Sequence, residues 1–307
     1  MESQSSHLFW YVIFNPASGN GKGKKKISHI KALMKKYDMS FKIVTTHYPG
    51  HEIILVQEAV FKGYFNLICI GGDGTLHHIV NGIMHLEKND REKIRLAVIP
   101  TGTGNDWVKN YKIPTDPEKA LKIISNNKCL RQDIGQIKLI DEQKNIYFNN
   151  AAGIGFDAYV VKNVNQYKKW GNLAYLITAL SCFTNYPIKM YSIHSDRHVI
   201  NAELLMISVG LCQYSGAGMQ LTDYKNHINE HFDMTLIKSI SLNKIVRNIL
   251  KLYQGGIDKM KETTCVQVRS ISVRGNSRAF IQADGELLGK GNAEIMLIPK
   301  AISFIIS

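Results

Sequence analysis

Residues 67–84 read LICIGGDGTLHHIVNGIM, and this stretch decides the fold. A short apolar run, Leu67-Ile68-Cys69-Ile70, meets Gly71-Gly72-Asp73-Gly74-Thr75, after which Leu76, Ile79, Val80, Ile83 and Met84 recur at helical spacing. The pattern predicts a strand, a glycine turn and a helix. Consecutive glycines let backbone N–H groups approach an anion without obstruction by a Cβ, and the helix brings its own unpaired N–H groups to the same point. A carboxylate there would repel a bare phosphate, so Asp73 points to a bridging Mg²⁺ or to a sugar hydroxyl. Alone, the stretch fits a tight turn with an incidental aspartate nearly as well.

The segments around it repeat the logic. Residues 8–14 form an apolar, aromatic run fit for a buried strand, leading into Asn15-Pro16-Ala17-Ser18-Gly19-Asn20-Gly21-Lys22-Gly23-Lys24. Pro16 stiffens the entry, the glycines free the backbone, and Ser18, Lys22 and Lys24 offer a hydroxyl and positive charge to phosphate oxygens. The spacing is not that of a Walker A loop, and a solvated loop before the amphipathic helix marked by Ile27, Ile30, Leu33, Met34 and Tyr37 is the competing account. Residues 41–45 read as a strand, followed by Thr46, a turn at Pro49-Gly50 and a helix over 52–61. Residues 95–99 read as another strand, ending in Pro100-Thr101-Gly102-Thr103-Gly104-Asn105-Asp106, with Asn105 or Asp106 as helix cap. Asp116-Pro117 starts a further helix. Loops that follow parallel strands share one edge of the sheet, so the three glycine loops can converge on one ligand.

From about residue 129 the texture changes. Strand-type segments dominate at 132–140, 145–152, 188–194, 202–211, 232–240, 265–273, 279–283 and 294–306, with a helix inside 157–183 and another over 242–253. The expected division is an α/β nucleotide-binding domain at 1–128, which 298–307 can rejoin, and a mainly antiparallel β domain at 129–297.

Composition bounds the partners. The chain has 307 residues, 45% hydrophobic, and no apolar run of the roughly 18 to 20 residues that a spanning helix needs. The first residues lack a basic and apolar leader pattern, so a cytoplasmic protein is expected. Five scattered cysteines, mostly in apolar runs, read as free thiols. A net charge of +13 calls for an anionic partner: nucleotide phosphates, an acidic membrane or nucleic acid. Nucleic acid ranks lowest, since no recognition motif for it stands out. Lys162, Lys168 and Lys169 beside Tyr167 and Trp170 suggest a membrane-facing patch, with a solvated helix end as the alternative.

Taken together, Asn15-Pro16-x-Ser18-Gly19, Gly71-Gly72-Asp73-Gly74-Thr75, Gly102-Thr103-x-Asn105-Asp106, Asn150-Ala151-Ala152-Gly153-x-Gly155-Phe156-Asp157 and Asp284-Gly285-Glu286 resemble the diacylglycerol kinase catalytic family, closest to its soluble bacterial lipid kinases. The resemblance spans nearly the whole chain in order. It implies an NAD-kinase-like, Rossmann-like three-layer α/β domain followed by a C-terminal β-sandwich, and transfer of the γ-phosphoryl group of ATP to a lipid hydroxyl. By the same resemblance Asn15, Pro16, Ala17, Ser18 and Gly19, helped by Lys22, would hold nucleotide phosphates. Thr46 matches a nucleotide-contacting threonine; Gly71, Gly72, Gly74 and Thr75 would form the phosphate loop; Gly102, Thr103, Asn105 and Asp106 would also face ATP. Asp73 would act on Mg²⁺, directly or through water, with Asp284 as a second metal and catalytic carboxylate and Glu286 as general base. In an extended segment, positions 284 and 286 would project to one face; a bare hairpin turn is the plain alternative. Where members of the family carry a structural metal, this chain offers Asn226, Asn229 and His231, with the amide of Asn229 in an aspartate's place.

Two other readings keep the fold. One is a kinase on a soluble acceptor of the NAD-kinase kind, although His77-His78 stand where an Asn-Glu pair is associated with NAD. The other is a non-catalytic nucleotide or lipid carrier. The oligomeric state, a homodimer included, is not written in the sequence.

Overall fold

Each apolar run that ends in a glycine loop becomes a parallel strand. The structure, a computed structural model, describes residues 8–164, 166, 173–222, 230–275 and 278–307, apart from the side chains of Lys22, Val246, Ile249 and Leu250. It divides into two units, the first taking the chain up to Gln132 together with Lys300–Ser307, the second Asp133–Pro299.

The first unit alternates strand and helix: β1 (Phe9–Phe14), α1 (Lys22–Lys36), β2 (Ser40–Thr45), α2 (His51–Phe61), β3 (Asn66–Gly71), α3 (Asp73–Met84), the one-turn α4 (Lys88–Arg91), β4 (Arg95–Pro100), α5 (Asp106–Asn110) and α6 (Pro117–Asn126). Its parallel sheet runs β2-β1-β3-β4 and continues into the last residues of the chain, where Ser303 and Phe304 pair with Arg95 and Leu96. Residues buried on both sheet faces explain the unbroken apolar runs: Tyr11, Val12, Ile13, Leu67, Ile68, Cys69 and Ile70 are fully enclosed. The chain steps from β1 outward to β2, then back past β1 to β3. With right-handed crossovers, that reversal places α1 on the opposite face from α2 and α3, consistent with α2 packing on α3 and α1 on α6. It also parts the loops after β1 and β3, and such a switch point is where open α/β sheets bind ligands. Asp116 caps α6 as its sequence predicts, accepting the Lys119 N–H at 2.9 Å ahead of Pro117.

The second unit contains β5 (Cys129–Leu139, which begins in the first unit), β6 (Lys144–Phe148), β7 (Ala151–Gly155), α7 (Phe156–Asn163), α8 (Ala174–Phe183), β8 (Lys189–Ser195), β9 (Val199–Leu204), β10 (Met206–Gly210), β11 (Phe232–Ile237), α9 (Leu242–Gln254), β12 (Thr263–Val268), β13 (Ser270–Gly275), β14 (Phe280–Ala283), β15 (Glu286–Lys290) and the start of β16 (Ala293–Ile305). The neighbours in β12-β11-β10-β7-β14-β15, in β16-β13-β8-β9 and in the β5–β6 hairpin all pair antiparallel. One sheet orders β12-β11-β10-β7-β14-β15; the other joins β16, β13, β8 and β9, with the β5–β6 hairpin attached.

Three segments expected as single strands are each two. The stretches 145–152, 202–211 and 265–273 break at Asn149-Asn150, Leu205 and Arg269, and the halves lie in different sheets. Strands that change sheets at a bend make the corners of a sandwich. Likewise the single helix expected within 157–183 is two, α7 and α8. The corners at Asn149-Asn150, Leu205 and Arg269 hold no glycine or proline, which is why the sequence pattern does not mark them.

Candidate functional site

The first unit draws three sequence-distant loops together. Asn15 organises the first: its Oδ1 accepts the Ala17 N–H at 2.9 Å, and its Nδ2 donates to Thr75 Oγ1 at 2.9 Å, tying the loop after β1 to the start of α3. Ser18, buried, shares a hydrogen bond of 2.9 Å with the hydroxyl of Thr101 after β4. Thr101 in turn donates its N–H to the Gly71 carbonyl at 2.8 Å. Gly72 and Gly102 touch backbone to backbone: a Cβ on Gly102 would stand 2.6 Å from the Gly72 Cα, and one on Gly72 would stand 2.9 Å from the Gly102 Cα. No other residue fits at either position without parting the loops. Thr46, also buried, donates its N–H to the Phe14 carbonyl at 2.9 Å, which places the end of β2 beside the first loop.

Asp73 is the first residue of α3, where the positive end of the helix favours a carboxylate. Its Oδ1 accepts the Trp107 N–H at 3.3 Å. A Cβ built on Gly104 would lie 3.0 Å from Asp73 Oδ2 and 3.8 Å from Asp106 Oδ2, so that glycine separates two carboxylates. Asp106 is buried and paired with Lys109 at 3.1 Å. Asn105 is left-handed at φ 52°, its Nδ2 donates to the Gly102 carbonyl at 2.9 Å, and its buried Oδ1 has no partner among the described residues. Asn105 stands at the N-cap position of α5, as expected, without a side-chain hydrogen bond to the helix. Thr103 is exposed at the tip of this loop, and Lys22 is the first residue of α1.

A divalent cation fits this arrangement. Mg²⁺ is commonly held by one or two carboxylates and otherwise by water and phosphate oxygens, and the Gly72–Gly102 cradle, Asp73 and the unpartnered Asn105 oxygen supply that kind of surface. Among the described residues no three His, Cys, Asp or Glu side chains gather as a metal-ligand cluster. Asn226 and Asn229 lie outside the described residues, as do Lys168, Lys169, Tyr167 and Trp170. His231 receives the Arg197 guanidinium on its Nε2 at 3.1 Å, an arrangement suited to a surface pair rather than to a metal nitrogen.

In the second unit, the Asp284-Gly285 pair corrects a geometric expectation. The two residues are left-handed, φ 50° and 83°, and form a two-residue turn between β14 and β15 with Ala283 opposite Glu286. The segment is a primed hairpin turn, not an extended run, so Asp284 and Glu286 do not share a face by strand alternation. Asp284 turns back on the backbone. Its Oδ1 accepts the N–H groups of Asn150 and Ala151 at 3.0 and 3.1 Å, and its Oδ2 that of Asn149 at 3.2 Å. These are the amides of the corner where the chain leaves one sheet for the other. Glu286 stands half-exposed at the start of β15.

Asp157, part of the motif at residues 150–157, has a use that its spacing does not reveal. It is buried, accepts from the Tyr175 hydroxyl, and accepts from Gln282 Nε2 at 2.5 Å. A Cβ on Gly153 would collide with its carboxylate, so the glycine makes the room. Burial pushes its pKa up, against the pull of the Tyr175 and Gln282 hydrogen bonds. Beside it opens a cavity walled by α7, α8, α9 and strands β10 and β11, with Phe156, Leu180, Met206, Met219 and Leu252 among its lining. Among the described lining residues only Asp157, Tyr175 and Asn248 carry a side-chain nitrogen or oxygen. The signal for this carboxylate was the glycine four residues before it.

Comparison with known proteins supplies the family. Residues 9–137 match the diacylglycerol kinase catalytic domain, and residues 150–306 match the YegS C-terminal NAD kinase beta sandwich-like domain. The chain belongs to the diacylglycerol kinase family. Relatives include the diacylglycerol kinase of Staphylococcus carnosus, 24% identical over 95% of this chain and 92% of its own length. The diacylglycerol kinase of Staphylococcus aureus strain MRSA252 is 26% identical over 95% of this chain and 90% of its own length. A crystal structure of a diacylglycerol kinase from Bacillus anthracis shares the fold at a TM-score of 0.74 and 20% identity, covering 98% of this chain and 97% of that one. The diacylglycerol kinase fold thus has an N-terminal α/β domain and a C-terminal β-sandwich here, as the sequence resemblance implies. Among the described residues no helix is long and apolar enough to cross a membrane.

Proposed function

We propose that this diacylglycerol kinase family member uses ATP and Mg²⁺ to phosphorylate the hydroxyl of diacylglycerol or a related lipid alcohol at an acidic membrane surface. The observation that carries the lipid half of the reading is the cavity of the second unit, apolar on nearly every wall yet holding one buried carboxyl at Asp157. An acyl chain with a single hydroxyl end has that distribution of polarity. The Asp157 carboxyl, held by Tyr175 and Gln282 at the edge of the apolar cavity, suits a hydrogen bond to a neutral lipid oxygen.

For the nucleotide half, the residues of the three joined loops divide the work. Backbone N–H groups of Asn15–Gly19 and Gly71–Thr75 hold phosphate oxygens, with Lys22 adding charge; Thr46, Gly102, Thr103, Asn105 and Asp106 bound the nucleotide. Asp73 holds Mg²⁺, which when bound neutralises the charge of the transferring phosphoryl group. Glu286 takes the hydroxyl proton as the acceptor oxygen attacks the γ-phosphorus and the bond to the β,γ-bridging oxygen breaks, ADP leaving. Asp284 serves Glu286 by fixing the turn that presents it, a positioning task in place of metal binding. The +13 charge suits transient contact with an acidic bilayer, from which the acceptor is drawn.

The test is incubation of purified protein with labelled ATP, Mg²⁺ and mixed micelles carrying diacylglycerol, monoacylglycerol, ceramide or phosphatidylglycerol. Label is expected in a lipid phosphate monoester and is lost on chelation of the metal. Label confined to soluble acceptors would refute the lipid assignment.

A further inference from the structure

Between β2 and α2 the chain reads Thr46-His47-Tyr48-Pro49-Gly50-His51. Pro49 and Gly50 are the central pair of a tight turn: the His51 N–H donates to the Tyr48 carbonyl at 3.2 Å, and Gly50 takes φ 86° and ψ −4°. Proline at the second position and a positive φ at the third define the type II turn, which favours glycine there. Such a turn brings its first and fourth residues side by side. The Tyr48 ring accordingly stacks on the His51 ring, with centres 4.6 Å apart and planes 24° from parallel. His51 is held in turn, its Nδ1 accepting the His47 N–H at 3.3 Å and its ring standing 5.4 Å from that of His47.

Core packing does not account for this pair. Tyr48 is 54% exposed, so a large ring in a pinned orientation presents its surface to water, where a flat partner can cover it. Its place narrows the partner. Thr46, two residues earlier, donates its N–H to the carbonyl of Phe14, the last residue before the Asn15 loop. Two residues of chain span at most about 7 Å, and neighbouring strands lie about 4.8 Å apart. The rings therefore stand about one nucleoside away from the loops proposed to hold phosphate. Nucleic acid fits less well, since it asks for a basic groove as well as rings, and residues 43–61 contain no lysine or arginine. Residues 46–51 also carry no amide, carboxylate or guanidinium side chain. The loop is equipped to hold a base by its face and lacks the groups that read a base by its edge.

We propose that Tyr48, backed by His51, is the stacking surface for the base of the phosphoryl donor, and that it takes purine nucleotides by the ring face, GTP as well as ATP. The inference rests on the nucleotide reading of the three loops and extends it to the choice of donor. Contact by the face grows with ring area, so a two-ring purine gains more from it than a pyrimidine.

The experiment is calorimetric titration of the full chain with ATP, GTP, UTP and inorganic tripolyphosphate, each in the presence of Mg²⁺. The wild type is expected to bind GTP within about threefold of ATP, and UTP more weakly than either. Tyr48→Ala should weaken ATP and GTP by about tenfold to a hundredfold, the worth of one base–aromatic stack. The same variant should bind tripolyphosphate, which has no base, like the wild type. Tyr48→Phe keeps the ring and should retain ATP affinity, which guards against a variant that simply misfolds. Phe61→Ala removes a ring that is 91% exposed at the other end of α2 and should leave every affinity unchanged. Equal loss of tripolyphosphate and ATP in Tyr48→Ala, failure of Tyr48→Phe, or a wild type that separates ATP from GTP by more than about tenfold, as edge reading would, would each overturn the proposal. Wild-type ATP affinity in Tyr48→Ala refutes the stacking surface alone. A wild type that binds neither ATP nor tripolyphosphate refutes the nucleotide reading along with it.

Discussion

Asp73 and Asp284 each precede a glycine, one in each unit, and the fold uses the two carboxylates in opposite ways. Asp73 opens a helix among glycine loops that nothing but backbone could pack so closely, and its neighbours are a second carboxylate and an unpartnered amide oxygen. Asp284 sits in a left-handed turn and accepts three consecutive backbone N–H groups of a sandwich corner. On the proposed reading the same dipeptide serves ligand chemistry in one place, while in the other it satisfies backbone N–H groups. What separates them is the conformation of the aspartate itself: in the helical start the side chain faces the loops, in the turn it folds back on its own chain.

The largest effect should come from the residue that Asp284 presents. Glu286→Gln is expected to lower phosphoryl transfer by about 10²–10⁴-fold while ATP binding stays near wild type, read by single-turnover kinetics and nucleotide titration. Wild-type turnover in that variant would remove Glu286 as the base and with it the point of the turn. Next comes Gly102→Ala, whose added methyl must push against the Gly72 backbone. A stability loss of about 1–3 kcal/mol is expected, together with weakened ATP binding, in calorimetry of both. Unchanged ATP affinity would mean that the joined loops are not the nucleotide cradle.

Smaller effects concern pH. Because burial raises the Asp157 pKa, the folded state holds that proton more tightly than the unfolded chain. The resulting stabilisation is present below the ordinary carboxylate range and is lost as pH rises through the folded value. Asp157→Asn cannot titrate, so the stability of the wild type relative to the variant should decline from acid to neutral pH in thermal unfolding; a parallel course would mean that the carboxyl titrates alike in the folded and unfolded chain. His78 behaves in the opposite sense. Burial, aided by His77, lowers its pKa from 6.5 to about 4, so its contribution is present above 6.5 and is lost as pH falls through about 4. His78→Leu should flatten the acid limb of stability by on the order of 2 °C in Tm.

The first unit was nearly written out in its sequence, for a physical reason. Strands buried on both faces are continuous apolar runs, and glycine loops at their ends mark where backbone must meet backbone, so residues 67–75 could be read without neighbours. Convergence of the loops followed from parallel topology, and the Asn15–Thr75 and Ser18–Thr101 contacts bear it out. The second unit was less legible. No glycine or proline marks the corners at 149–150, 205 and 269, so no turn signal tells a strand that it changes sheets. The turn at Asp284-Gly285 was visible as a hairpin, but its target, the amides of Asn149 to Ala151, lies more than a hundred residues away. Asp157 likewise depends on Gln282 across the sheet and on the missing side chain of Gly153.

Thermal unfolding and lipid kinase turnover, measured together on Asp73→Asn and Asp284→Asn, test the division between the two aspartates most directly. Asp73→Asn is expected to keep its Tm within about 2 °C while turnover falls by about 10²–10³-fold. Asp284→Asn is expected to lose about 2 kcal/mol of stability, a Tm lower by about 4–8 °C, as charge-assisted bonds to the corner weaken. Wild-type turnover in the first variant, or a wild-type Tm in the second, would contradict the assignment of chemistry to one aspartate and of architecture to the other.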